Sequence, residues 1–307
     1  MERAWLLLSQ VMTLGTTWCM FYCILKEKEK KKGQRERRQW IQLAGTLLYL
    51  LLPRHIAVVR EERNWTQIVI WMVIPVLAAS LLEVIYTEKK LWKTGFGLVA
   101  VLVIGVIGRM DGVAGLTVLF LVCVAGLCRK HWEYPLIGVL GIVMACPTYL
   151  TWKHWILDGN FAESGFEYTS IMEKGYSIGG LFSTYFYRNG EPGMGILLLG
   201  CLIFLIYFGF VKNRKIWSGP DYAWLAAAGL LTVMSLRYFP WDFVQRMGQW
   251  SLGLVSLIGT PTVFFTYAQM ILCVLSVEKI GDIVMSEEME DSDDYRKTKG
   301  KRESKIA

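Results

Sequence analysis

Residues 66–86 read TQIVIWMVIPVLAASLLEVIY, a run of 21 residues in which Glu83 is the single charged side chain. At a helical rise of about 1.5 Å per residue the run covers about 31 Å, the thickness of a bilayer's hydrocarbon core. Its apolar residues are continuous rather than alternating, which selects a helix over a strand of a membrane barrel. A helix apolar on every side has no polar face to offer water. This stretch therefore belongs in a membrane.

The rest of the chain repeats the pattern. Of 307 residues, 54% are hydrophobic, and they come in blocks separated by short polar connectors. The blocks predict an all-α fold, a polytopic transmembrane helical bundle of about nine spans. They lie at 4–25, 40–52, 66–86, 95–108, 112–128, 135–152, 193–211, 222–236 and 254–277. Residues 1–277 then form one transmembrane domain. Residues 278–307, acidic and then basic with few apolar residues, are expected to be a disordered cytoplasmic tail. The run 95–108 has only 14 residues, about 21 Å at helical rise, so with 112–128 it reads either as two short crossings or as a buried hairpin.

Charge orients the bundle. Connectors on one side (26–39, 87–94, 129–134, 212–221 and the tail) carry 23 Lys and Arg, against 10 on the other side; without the tail the ratio is 16 to 10. The richer side is cytoplasmic by the positive-inside rule, which puts the N-terminus outside, the C-terminus inside and the protein in the plasma membrane. The first span has its positive charges after its apolar stretch rather than before it, which fits an N-out anchor or a chain lacking a natural upstream part.

The net charge of +7 does not point to nucleic acid, because the basic residues sit in the connectors. The seven cysteines lie inside apolar blocks, without a CxxC, and read as small hydrophobes rather than disulfides or a metal cluster. His55, His131 and His154 are far apart and not all on one side of the membrane, so no metal site is expected.

The most specific polar stretch is Arg237-Tyr238-Phe239-Pro240-Trp241-Asp242. Pro240 ends the preceding helix near the surface, and the aromatic residues suit the headgroup region. Asp242 is a candidate general base or cation ligand, and Arg237 or Arg246 a candidate phosphate contact. The alternative is an aromatic belt with a solvated carboxylate. The connector 153–192, net −2, ends in an aromatic, glycine-rich stretch that predicts a short interfacial helix or re-entrant turn. Arg54, His55, Arg60 and Arg63, interleaved with Glu61 and Glu62, form either a phosphate-binding cluster or a self-neutralising turn. Arg109 and Asp111 are an intramembrane polar pair if 95–128 is a buried hairpin, and are exposed otherwise.

The stretch GTLLYLLLPRHIAVVREERNW (45–65), the short hydrophobic hairpin, GYSIGGLF (175–182) and RYFPWD (237–242) resemble a large bacterial family of polytopic membrane proteins related to pyruvoyl-tetrahydropterin synthase. That family borders the YfhO-like proteins and the C-type (GT-C) glycosyltransferases. The resemblance covers residues 40–277, with FPWD its most specific part. It departs at 258–264 (IGTPTVF), which keeps Pro261 but lacks the Trp and Arg of the family, and no acidic first external loop is present.

The resemblance implies a GT-C-like protein of cell-envelope biogenesis, complete, truncated or inactive alone. It would transfer a sugar from a polyprenyl-phosphate donor at the outer membrane face. Asp242 would then be catalytic, with Arg237, Trp241, Arg246, Arg54 and Arg60 binding substrate. No cofactor is indicated, although an enzymatic reading admits a divalent cation. The other reading is a non-enzymatic membrane transport or scaffold subunit in contact with membrane lipid.

Overall fold

The computed structural model describes residues 2–26, 34–62, 64–157, 174–183, 193–211, 217–247, 258 and 260–303. Its elements are helices: α1 (Glu2–Lys26), α2 (Gln34–Leu50), α3 (Pro53–Ala57), α4 (Trp65–Tyr86), α5 (Lys90–Met110), α6 (Gly112–Arg129), α7 (Glu133–Met144) and α8 (Cys146–Leu157) come first. They are followed by α9 (Ile178–Leu181), α10 (Ile196–Val211), α11 (Gly219–Ser235), α12 (Trp241–Arg246) and α13 (Thr262–Glu303). Five helical segments are long and apolar enough to cross a membrane: Arg3–Lys26, Trp65–Tyr86, Lys90–Met110, Gly112–Arg129 and Thr262–Met285. The chain is thus an all-helical protein with the features of a multi-pass membrane protein.

Four blocks read as spans from hydropathy stand apart from these five. The second is a pair of helices, Arg35–Leu50 and Pro53–Arg60, bent by 50°. Leu52 is extended before Pro53, which starts α3, as proline's ring demands of the residue preceding it. The block 135–152 is divided into α7 and α8 at Ala145. Pro147 lacks an N–H and its ring collides with the carbonyl four residues back, so one straight helix is not available. Ile196–Gly209 and α11 are shorter apolar elements.

Two boundaries move. The short run 95–108 is embedded in the 21-residue α5, because Lys90 and Lys93 extend the helix at its end. Lys93 keeps its ammonium at the rim by pairing with Glu133 at 2.7 Å, so its stem joins the helix without burying its charge. The last helix also continues beyond 277, with Lys279, Ile283 and Met285 still buried.

The helices form two packed groups. α4, α5, α6 and α7 pack in succession, with α1 against α4; α13 packs on α2, α10 and α11. The seams of α1 with α2, α1 with α13 and α6 with α11 join them. Within the first group backbones approach closely. A Cβ on Gly141 would lie 2.5 Å from Cβ of Ile104, and one on Gly115 would lie 2.6 Å from Cα of Gly108. Small residues at such crossings let helices gain dispersion contacts where lipid removes the usual hydrophobic drive.

Burial is arranged around α13. Most residues of its Thr262–Met285 segment are buried, whereas most of the apolar stretch of α5 is not. Leu7, Val11, Leu98, Val139 and Ile203 instead point outward. Large apolar side chains over so much of the exterior are what a lipid-facing surface requires.

Side-chain contacts match helix ends. Trp5 meets Trp65, and Gln67 reaches Asp111, at what we term the cap end. Cys23 meets Glu83, Arg129 bonds Tyr86, and Lys93 bonds Glu133 at the other, basic end.

Candidate functional site

At the cap end, two sequence segments singled out above meet. Tyr176 and Leu236 form a parallel bridge: Tyr176 N donates to Ser235 O (2.9 Å) and Arg237 N donates to Tyr176 O (3.0 Å). Gly175 permits the approach, since a Cβ there would sit 2.6 Å from the Arg237 nitrogen. The turn of helix at Ile178–Leu181 is opened by Ser177, whose Oγ accepts from Gly180 N (2.9 Å). Leu181 O accepts from Met194 N (2.8 Å), Ser183 Oγ accepts from Gly193 N (3.0 Å), and Gln269 Nε2 donates to Gly193 O (2.6 Å). Three segments are thereby clipped over the start of α13.

Trp241 is the anchor of this cap. Its indole Nε1 donates to Met234 O at 3.0 Å, closing the turn made by 235–240. The ring lies parallel to Phe264 (5.9 Å between centroids, 9° between planes) and against Phe239 (4.5 Å). Tyr176, fully buried, packs on Phe265 at 5.0 Å. Aromatic contacts of this kind fix position as well as burying area.

Asp242 follows Trp241 in the first turn of α12 and is half-buried. Its Oδ1 is buried and without a hydrogen-bond partner. Arg237 and Arg246 are exposed, and no ion pair among the described residues joins either to Asp242. Trp241, with 3% exposure, serves the cap rather than presenting an open face to a substrate.

The remaining candidates separate. Arg54 is buried in α3, whereas Arg60 lies exposed in the π-helical turn Val58–Glu62. Glu61, Glu62 and Arg63 have no described side chains. Arg109 is exposed; Asp111 accepts from Ala114 N at 3.0 Å, capping α6, and from Gln67 Nε2 at 3.4 Å. The structure pairs Asp111 with α4, and no ion pair joins it to Arg109 among the described residues. Among the described residues no group of three His, Cys, Asp or Glu side chains could hold a metal ion.

Three features escaped the sequence reading. The rings of Tyr49, His55 and Trp71 pack together, with His55 Nδ1 2.8 Å from Leu50 O and Tyr49 OH donating to Trp71 O at 3.1 Å. Lys279 pairs with Asp221 at 2.6 Å, both almost wholly buried. An apolar slot of about 220 Å³ lies between α4 and α6 on one side and α13 on the other. Leu81, Val122, Ile271 and Val274 wall it; the buried Tyr49 and Tyr267 stand toward the cap end, while the exposed Tyr86 and Arg129 stand at the basic end. The S-x-x-D spacing of Ser218 and Asp221 was the one legible signal, a helix-capping pattern. Comparison with protein-family models, curated proteins and solved structures yields no match.

Proposed function

We propose that the chain is a nine-span, GT-C-like protein of the plasma membrane, with its N-terminus outside. On this reading it transfers a sugar from a polyprenyl-phosphate donor at the outer face during cell-envelope biogenesis. The observation carrying the proposal is the buried, unpartnered Oδ1 of Asp242 beside the anchored Trp241. A buried carboxylate oxygen without a partner is costly, and such groups occur where a ligand or proton completes the site. In the reaction Asp242 takes the proton from an acceptor hydroxyl as its oxygen bonds to the sugar's anomeric carbon. The bond from that carbon to the polyprenyl phosphate breaks, and the phosphate leaves with its charge met by Arg237 or Arg246. The orientation rests on the positive-inside rule, and the matching of helix ends agrees with the alternation it assumes, since α1 runs parallel to α4.

The test is sugar transfer from a polyprenyl-phosphate donor in membranes carrying wild type, Asp242→Asn or Arg237→Ala. General-base loss should lower the rate at least about a hundredfold for Asp242→Asn. Wild-type-like transfer by that variant, or none by wild type, rejects the assignment.

A second reading, a non-enzymatic transport or scaffold subunit, is favoured by the placement of the slot. Its exposed lining residues, Tyr86 and Arg129, are at the basic end, so an amphiphile entering there keeps its headgroup away from Asp242. Lipid retention without transfer would select this reading.

A further inference from the structure

We infer that the apolar slot holds one acyl chain of a zwitterionic ethanolamine phospholipid from the leaflet at the basic end. The slot lies where the two helix groups face each other without packing. α13 packs on α2, α10 and α11 and, along a shorter seam, on α1; among the described residues it has no extended packing against α4 or α6. Between them lie about 220 Å³ walled by Leu81, Val118, Val122, Ile271 and Val274. Protein interiors are close-packed, and an empty gap forfeits the dispersion contacts of its walls. Water does not fill an apolar gap, because it needs about two to four polar partners. A hydrocarbon chain does.

Length and width select a single chain. Tyr267 and Glu278 stand at opposite ends of the slot on α13, as Val118 and Arg129 do on α6. In each pair the residues are 11 positions apart, about 16 Å at helical rise. Half of a bilayer's hydrocarbon core is about 15 Å, so the slot runs from headgroup level to the midplane. A cavity of about 150 Å³ takes up one benzene, so 220 Å³ drawn out over this length holds one chain and not two. The inner end is formed by Tyr49 and Tyr267, both fully buried. The lipid's other chain stays in the surrounding bilayer.

The mouth selects the head. Tyr86, Arg129 and Glu278 line it at the basic end. Arg129 Nη1 donates to Tyr86 OH at 3.0 Å, which fixes the exposed guanidinium at the rim and leaves its other N–H groups for phosphate oxygens. Glu278 is half-buried and already has a contact of its own. A carboxylate offers about four lone-pair sites, so it accepts an ammonium N–H in addition. An anionic head gains Arg129 but is opposed by Glu278, whereas a zwitterionic head meets each charge with its opposite. Ethanolamine, unlike choline, carries the N–H donors that a carboxylate accepts.

The site lies away from Asp242, toward the other end of the bundle, and rests on the slot that favours the non-enzymatic reading. Labelling of the slot reads it directly, without a transport or transfer assay. Absence of label strikes this site alone, and failure of the transport or scaffold role leaves the label in place.

The full chain is to be reconstituted in nanodiscs of phosphatidylcholine with a minor fraction of phosphatidylethanolamine or phosphatidylglycerol, each carrying a photoactivatable diazirine near the end of one chain. Labelled residues are then mapped by mass spectrometry. The ethanolamine lipid should label Val118, Met270 and Ile271, buried in the slot, as well as the lipid-facing Leu98 and Val139. The glycerol lipid should label the slot less, by about threefold or more. Ala78→Phe, which fills the slot from α4, should abolish slot labelling and leave Leu98 and Val139 labelled. Arg129→Gln alters an exposed side chain, so it keeps the test decisive where Ala78→Phe does not fold; it should lower slot labelling about threefold or more. Lys89→Gln, exposed at the same end but outside the lining, should change nothing. Wild-type label confined to Leu98 and Val139, equal slot labelling by the glycerol lipid, or undiminished slot labelling in folded Ala78→Phe or in Arg129→Gln would each overturn the inference.

Discussion

Replacing Lys279 by Ala removes one half of the ion pair that joins α13 to the start of α11. The pair is 2.6 Å long, with side-chain exposures of 6% and 7%. At that separation the attraction is about 6 kcal/mol for an effective dielectric of about 20, before desolvation is set against it. Removing one partner of a buried pair typically costs about 3–5 kcal/mol, because the other charge is stranded. Asp221 would keep the backbone N–H and hydroxyl of Ser218, each 2.6 Å from Oδ2. The cost for Lys279→Ala therefore falls near the lower bound, about 3 kcal/mol. Asp221→Asn should cost less, about 1–2 kcal/mol, since Lys279 retains Asp282 at 3.7 Å. Asp221→Asn with Lys279→Ala should be more stable than the two single losses predict, with a coupling of about 2 kcal/mol. Denaturant titration of the detergent-solubilised protein, followed by tryptophan fluorescence, measures all four corners of the cycle. Strictly additive losses, or a Lys279→Ala variant within about 0.5 kcal/mol of wild type, would refute the account.

The same pair has a pH signature. Burial pushes the Asp221 carboxyl up, but hydrogen bonds from Lys279 and Ser218 outweigh it and hold it below its usual value. A folded value below the unfolded one gives stability that is present above about pH 4 and lost as pH falls through the folded value. Stability should thus change little from pH 8 to 5 on this account and fall below it, and Asp221→Asn should remove that acid limb. Gly141→Leu should force α7 from Ile104, destabilising the bundle by about 1–3 kcal/mol, measured by the same titration. Trp241→Phe removes the indole bond to Met234 and should cost about 1 kcal/mol while preserving the stack on Phe264. Gly175→Val should break the Tyr176–Leu236 bridge and speed hydrogen exchange at the Arg237 amide, whereas unchanged exchange would disprove the close approach.

The membrane-helix character of this chain was legible because transfer into lipid is a sum over neighbouring residues. The run 66–86 coincides with α4 to within one residue, and Gly112–Arg129 with its predicted block. Local sums fail where a helix carries charge at its rim. Hydropathy stops at Gly95, whereas α5 starts at Lys90, because Lys93 is satisfied by Glu133 forty residues away. They fail again at Lys279, whose charge argues for solvent until Asp221 is placed beside it.

The candidate site divides in the same way. Pro240 and the aromatic run marked a surface turn from sequence alone, as the residue before a proline leaves helical geometry. Folding decided that Tyr176 pairs with Leu236, that Trp241 is buried as an anchor, and that Asp242 Oδ1 lacks a partner. It also separated Arg109 from Asp111, by giving Asp111 a helix cap and Gln67 as partners. Partitioning into a membrane depends on composition within about 20 residues, which the sequence carries directly. Partners, slots and clefts depend on which helix faces meet, and that choice is made by packing between residues far apart in the chain.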